Sequence, residues 1–312
     1  MASAMMSQPP SPHTPEFAFV IPSYNGAGHL RRCVASIRER VARGSYVLVV
    51  MDDASSDEGV REVLARLRES DDTVVRVSDR NRGFCRNVNL GISLVLRDYP
   101  TVRYLVLLNQ DTELQTDITA EAAAVMSETE GAGICGPRLL HADGRVQNSF
   151  YDFPTVGKTL AQLAGLRRLG SLARRVAPGS RGLRLLPSFA RTYLANHRRH
   201  ERPLEVPWLC GACLVVAREV FARVGLLDEG FRMYCEDMDF CRRARAAGWK
   251  VLLFPQGRVV HHGNLDHTLF SPDTLATYHR SMKRFHEKYS TGTRRRLLLV
   301  LNRVEQWKMT RS

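Results

Sequence analysis

Four short, largely apolar runs punctuate the first third of the chain: Phe17–Pro22, Tyr46–Met51, Thr73–Val77 and Tyr104–Leu108. Between them, apolar residues recur at intervals of three and four. Leu30, Cys33, Val34, Ile37 and Val41 mark one such segment, and Val60, Val63, Leu64 and Leu67 the next. A third segment runs from about Arg86 to Arg97. Alternation of strand-length runs with helix-period segments leaves few solutions. It predicts an α/β fold with a mainly parallel central sheet and helices on both faces. Further strands are expected at Ala212–Ala217 and Lys250–Phe254, and helices from Pro272 onward.

Several of these runs stop abruptly in polar residues. Ser23-Tyr24-Asn25, Asp52-Asp53 and Asn109-Gln110-Asp111 each follow a predicted strand. In open α/β sheets, ligands sit outside the carboxyl ends of the strands, so the three clusters are expected along one edge. Asp52 could accept hydrogen bonds from a nucleobase or ribose, Tyr24 could flank a base, and Asp111 could hold a metal. Ordinary turn chemistry, or for Asp111 a cap on the next helix, is the competing reading. No G-x-G-x-x-G follows the first run and no G-x-x-x-x-G-K-[ST] occurs. Dinucleotide-dependent dehydrogenases and P-loop nucleotidases are therefore disfavoured.

The chain has 312 residues with a formal net charge of +13, which favours anionic partners. The charge concentrates between Phe153 and Pro203, where eleven Lys and Arg interleave with leucines and no acid occurs from Lys158 to His200. Leu160, Leu163, Leu166 and Leu169 could form one apolar stripe there. A basic helical insertion over about 154–204 is expected, suited to an anionic membrane surface or simply presenting a solvated basic face. Aromatics are sparse in it, so nucleic acid is not favoured. Residues 1–15, with four prolines, read as a disordered tail. Residues 16–290 form the main domain and 291–312 a basic C-terminal helix. No run of roughly 20 apolar residues is present. A cytoplasmic protein is expected, with the inner face of the plasma membrane as its attachment site. The seven cysteines sit mostly in apolar segments. Cys210 and Cys213 have metal-pair spacing but lack a second pair, so they are expected to act as small hydrophobes.

A second carboxylate cluster, Glu236-Asp237-Met238-Asp239, opens a helical pattern. Asp237 shares its face with Phe240, Cys241 and Ala244, and is expected to point inward. Asp239 lines up with Arg242 and Arg243 on the polar side. His261 and His262 close a strand and point to opposite faces, so one of them at most meets Asp111.

Together these pieces resemble a family 2 glycosyltransferase of the GT-A fold, in the branch that includes rhamnosyltransferases. The resemblance rests on Val20-Ile-Pro-Ser-Tyr-Asn25, Val50-Met-Asp-Asp-Ala-Ser-Ser-Asp57, Asn81-Arg-Gly-Phe84, Asn89-Leu-Gly91 and Leu108-Asn-Gln-Asp111. It continues through Gly211-Ala212, Leu227-Asp-Glu-Gly-Phe231, Glu236-Asp-Met-Asp-Phe-Cys241 and His261-His-Gly263. It implies that Pro22, Tyr24, Asn25, Asp52, Asn109, Gln110 and Asp111 bind a nucleotide-sugar donor. Asp111 and His261 would contact a divalent metal, Mg2+ or Mn2+. Asp237 would be the general base, with Gly211, Ala212 and Glu236 on the acceptor side. The expected reaction is inverting transfer of a sugar, rhamnose from dTDP-rhamnose foremost, to a glycan or lipid-linked acceptor in cell-envelope polysaccharide synthesis. A UDP-hexose or UDP-galactofuranose donor is the same-fold alternative. A basic membrane- or nucleic-acid-binding protein without catalysis is the alternative of another class. Asn109 stands where many relatives have Asp, which removes one carboxylate from the metal corner.

Overall fold

The computed structural model describes residues 14–164, 188–198, 200–263 and 270–310. The first part follows the predicted alternation. Strand β1 (Phe17–Ser23) leads to helix α1 (Ala27–Arg40), β2 (Tyr46–Asp52) to α2 (Glu58–Arg68), and β3 (Thr73–Val77) to α3 (Phe84–Asp98). Strand β4 (Tyr104–Leu108) follows, then a short β5 (Thr112–Leu114), α4 (Thr119–Glu128) and β6 (Ala132–Leu140). Strand β7 (Phe150–Tyr151) precedes helices α5 (Val156–Leu163) and α6 (Ser188–His197). Next come β8 (Leu204–Glu205), β9 (Trp208–Leu209), β10 (Cys213–Ala217), α7 (Arg218–Val224), α8 (Glu236–Ala246) and β11 (Lys250–His261). Helices α9 (Pro272–Tyr289) and α10 (Gly292–Met309) close the chain.

The main sheet runs β3-β2-β1-β4-β10-β6-β11-β5, with β8 beside β11. β1, β2, β3 and β4 are parallel, as are β6 and β11, whereas β10 is antiparallel to both its neighbours. Every residue of β1, β2 and β4 is buried, as expected of strands covered on both faces.

The register positions the site. Ser23 pairs with Asp52 at the ends of β1 and β2. Because β10 runs the opposite way, its first residue, Cys213, lies opposite Leu108 at the end of β4. At the far end of β11, His261 pairs with Thr112 of β5. The end of β4, the start of β10 and the end of β11 therefore meet at one edge.

The sequence patterns do not register β6, and the reason is physical. Its Gly133, Gly136 and Pro137 read as breakers. In the fold, a Cβ on Gly136 would lie 2.9 Å from the Cys213 carbonyl oxygen, and one on Gly133 would lie 2.8 Å from the Trp249 ring. Close packing demands the glycines, and Pro137 sits beside a register shift between Phe254 and Arg258.

Of the basic insertion, α5 and α6 are described. Leu160 is exposed, and Lys158 pairs with Asp152 at 2.9 Å. Leu166, Leu169 and Arg167, Arg168, Arg174, Arg175, Arg181 and Arg184 lie outside the described residues. Helix α6 is held by Asn196, which is 3% exposed. Its Oδ1 accepts from the Ser149 and Phe150 amides (2.7 and 3.2 Å), and its Nδ2 donates to the Phe150 carbonyl (2.9 Å). No helix among the described residues is long and apolar enough to cross a membrane.

Candidate active site

The three polar clusters do share one edge, and they are bonded to one another. Asn25 takes a positive φ of 54°. Its amide donates to Ser55 Oγ (2.7 Å), and its Oδ1 accepts from the Ser56 and Asp57 amides (3.0 and 3.2 Å). Gln110, expected at the nucleotide, acts here as a strut. Its Nε2 donates to the Tyr24 and Asn25 carbonyls (3.2 and 2.9 Å), while the Tyr24 amide donates to its Oε1 (3.3 Å). The Tyr24 ring is 51% exposed and open to stacking, whereas Pro22 is buried below it.

Asp52, expected to face a base, is 1% exposed. Its two oxygens accept from the Ser55 amide (2.9 Å) and hydroxyl (2.5 Å). Asp53 accepts from the Arg82 and Gly83 amides (2.7 and 2.9 Å) and so tethers the loop after β3. Both carboxylates hold loops in shape, as short polar side chains do at turns. Ser23 Oγ and Asn87 Oδ1 are buried beside them without hydrogen-bond partners among the described residues. Such groups are costly unless a ligand or water satisfies them.

Asp111 does not cap a helix, because the element after it is β5. The helix beyond starts at Thr119, whose amide is capped by Asp117 Oδ1 (2.8 Å). Asp111 Oδ1 instead lies 3.6 Å from His261 Nε2. His261 is 4% exposed, and burial lowers its pKa, against the raising effect of Asp111. Its Nδ1 meets Gln147 Oε1 at 2.9 Å, while Gln147 Nε2 donates to the Gly263 carbonyl (3.1 Å). That second bond turns the amide oxygen toward the ring, so Nδ1 carries the proton. The Nε2 lone pair is left facing Asp111. His262 points the other way, to Glu113 Oε1 (2.7 Å), which also pairs with Arg32 (2.7 Å).

These residues fit a hard divalent cation. They offer one carboxylate and one imidazole nitrogen whose other nitrogen is fixed by an amide, a common arrangement for metal-binding histidine. Gly263 keeps the space clear, because a Cβ there would lie 2.4 Å from His261 Nε2 and 2.8 Å from Asp111 Oδ2. Among the described residues no third His, Cys, Asp or Glu joins them, so water and ligand oxygens must complete the shell. The Asn109 amide donates to the Ala212 carbonyl (3.0 Å).

The adjacent peptide unit binds the other carboxylate. The Gly211 amide donates to Asp237 Oδ2 (2.8 Å), and the Met238 amide donates to Oδ1 (2.7 Å). A Cβ on Gly211 would sit 3.1 Å from Asp237 Cβ, so a side chain there would press against Asp237 and shift it by a few tenths of an ångström. The helix is entered through Tyr234 and Cys235, both at positive φ (67° and 66°). Strain of this kind concentrates at functional sites. Burial pushes the Asp237 carboxyl up to about 6, against two amide hydrogen bonds that lower it. Glu236, 7% exposed, is pushed up to about 8 by burial and by the Asp237 charge, and its Oε2 has no partner among the described residues.

Asp239 corrects its expected placement on the polar side. It is fully buried and accepts from Arg243 Nε, Tyr289 Oη and Lys288 Nζ, each at 2.7 Å. Helical spacing placed it beside Arg243, but α9, packed over that face, buries Asp239 and leaves Arg243 partly exposed. Gln147 carries no sequence signal, whereas Asp53 and Gly263 are legible only as members of the Asp52-Asp53 cluster and the His-His-Gly triplet, without roles of their own. All seven cysteines are buried free thiols, and burial pushes Cys33 and Cys241 up to about 12.

The family model for Glycosyl transferase family 2 matches residues 18–225. The chain is 28% identical over 269 residues to the N-acetylglucosaminyl-diphospho-decaprenol L-rhamnosyltransferase of Mycobacterium tuberculosis, covering 83% of this chain and 80% of that protein. It is 26% identical to an uncharacterised protein, y4gI, of Sinorhizobium fredii, covering 90% of this chain but spanning 28% of that relative's length. The mannosyltransferase PcManGT of Pyrobaculum calidifontis, solved with GDP-Man and Mn2+, superposes with a TM-score of 0.55 at 15% identity, over 96% of this chain and 71% of that one. GalNAc-T7, solved with UDP, GalNAc and Mn2+, gives 0.57 at 16% identity, over 97% of this chain and 57% of that one. These neighbours share the GT-A fold with the chain. With two thirds of its length matched by the family model, the chain belongs to glycosyl transferase family 2.

Proposed function

We propose that the chain is an inverting transferase that moves rhamnose from dTDP-rhamnose to a hydroxyl of a lipid-linked or glycan acceptor in cell-envelope polysaccharide synthesis. One observation carries this reading. The Gly211-Ala212 unit bonds Asp237 through one amide and Asn109, two residues before Asp111, through the next carbonyl. A carboxylate base and the candidate metal corner are thereby held in fixed relation on one strand start. The mycobacterial relative, named as a rhamnosyltransferase acting on a diphospho-decaprenol sugar, supports the donor and acceptor classes.

The chemistry follows from this chain's own groups. Asp237 accepts the proton of the acceptor hydroxyl as that oxygen attacks the anomeric carbon, and a single displacement inverts the centre. Its raised pKa makes it a stronger base than an ordinary carboxylate. Two amides fix both of its oxygens, so the base is oriented before the acceptor arrives. Glu236, with its unpartnered Oε2, offers a hydrogen bond on the acceptor side. Tyr24 stacks on the base of the donor, and Asn25 and Gln110 hold the loops around it. A divalent cation, Mg2+ or Mn2+, held by Asp111 and His261, supplies neutralisation of the charge that develops on the departing diphosphate.

A donor screen tests the reading. dTDP-rhamnose is expected to stabilise the protein in thermal shift and to be slowly hydrolysed, well above UDP-hexoses, UDP-galactofuranose and GDP-mannose. Preference for a UDP-sugar would overturn the rhamnose assignment and keep the fold-level one.

A further inference from the structure

A cavity of about 460 Å3 opens beside this site, lined by His141, Arg145, Val146, Asn148, Tyr193 and His197. We propose that it binds the phosphate or diphosphate of a phosphorylated acceptor, a subsite separate from the one that holds the donor diphosphate. The inference rests on the transferase reading above for the identity of the ligand as an acceptor.

The cavity is built by a hairpin. After β6 the chain turns at Gly144, the His141 amide donates to the Arg145 carbonyl (2.8 Å), and the Gln147 amide donates to the Leu139 carbonyl (2.9 Å). This sets His141 and Arg145 on one wall. Helix α6 supplies the other wall, with Tyr193 and His197 one turn apart and their rings 4.5 Å from centroid to centroid. Among the described residues no carboxylate lines the cavity. Asp143 pairs with Arg145 at 2.6 Å, but both are well exposed, and exposed pairs hold a side chain weakly. Arg145 is thus able to turn to an anion, for which its fork of donors is suited. Asn148 adds a buried Oδ1 with no partner among the described residues, an acceptor waiting for a hydroxyl such as that of a sugar.

Position gives this chemistry its meaning. Three consecutive hairpin residues face three parts of the reaction site. Gln147 holds His261, Asn148 lines the cavity, and the Ser149 carbonyl accepts from the Cys210 amide (2.9 Å), next to the Gly211 that holds Asp237. His141 of the cavity wall lies 3.4 Å from the Gln147 amide that holds His261, so the cavity adjoins the metal corner through one side chain. The same geometry explains why α6 is clamped so firmly by Asn196: the insertion forms a wall of the acceptor site.

Two measurements test the proposal on the full-length protein. The first is titration calorimetry with inorganic pyrophosphate in EDTA, which removes divalent cations. Arg145→Ala and Asn148→Asp are expected to weaken binding about tenfold, the order of one charge-assisted hydrogen bond, while Asp111→Ala leaves it unchanged. The second compares a diphosphate-linked acceptor sugar with the phosphate-free alkyl glycoside. Arg145→Ala is expected to raise KM about tenfold for the first only, with donor KM and donor hydrolysis unchanged. Pyrophosphate binding that ignores both variants, or is lost in Asp111→Ala, overturns the subsite. If the wild type turns over no nucleotide sugar yet loses pyrophosphate affinity in Arg145→Ala, the anion site stands and the transferase reading fails.

Discussion

At the scale of single residues, the site depends on side chains that hold other side chains. His261 is readable from sequence as a histidine at a strand end, and the pleat limits the Asp111 side to one of His261 and His262. Which of the two was not readable, since that depends on the register between β11 and β5. Gln147 was invisible for a similar reason: it lies 114 residues before its partner and belongs to no motif. Its role yields a direct expectation. Gln147→Ala frees the ring to take the other tautomer, which puts a proton on Nε2. Divalent affinity should fall by about 10–100-fold, the usual effect of losing such an outer contact. Mn2+ binding followed by electron paramagnetic resonance in the absence of donor checks this, and unchanged affinity would show that Gln147 only packs.

At the scale of elements, helix α10 presents Leu297, Val300 and Val304 to solvent, at 47%, 55% and 39% exposure. They fall at intervals of three and four, on one stripe, following Arg294, Arg295 and Arg296. A basic helix with an exposed apolar stripe suits the interface of an anionic bilayer. Substituting Leu297 and Val300 with Ser should reduce co-sedimentation with anionic vesicles severalfold and leave thermal stability unchanged. Equal binding of wild type to neutral and anionic vesicles would contradict a role for the arginines in choosing an anionic surface. The helix itself was legible from its spacing, as were β1, β2, β3, β4 and their helices, because periodicity and burial point the same way in each. Strand β6 was not, since its glycines serve packing against Trp249 and β10 rather than turns. Asp239 was misplaced because periodicity sees one helix alone, while α9 covers the face on which it lies.

At the scale of the whole molecule, the buried acids of α8 make stability depend on pH. Glu236 has its folded pKa raised to about 8 by burial and the Asp237 charge, above its unfolded value near 4.5. A raised acid favours the fold when protonated. Its contribution is full below about pH 4.5 and is lost as pH rises toward 8. Glu236→Gln removes that loss, so the variant should gain stability on the wild type steadily across this window. Urea unfolding at several pH values checks it, and parallel pH profiles would contradict the burial of an ionisable Glu236. The convergence behind this strain was only half legible. Sequence order placed the carboxyl ends of β1, β2 and β4 together. The antiparallel β10, which brings Gly211 and so Asp237 to the same edge, is a matter of topology that no local pattern encodes.

The role of Asp237 is tested most directly by single-turnover kinetics of Asp237→Asn with donor affinity measured alongside. The amide keeps the shape and can still meet the Gly211 N–H, but it cannot take a proton. Transfer is expected to fall by about 10²–10⁴-fold, the usual weight of a general base, with the donor Kd unchanged. Turnover within a few-fold of wild type would contradict the assignment of Asp237 as the base.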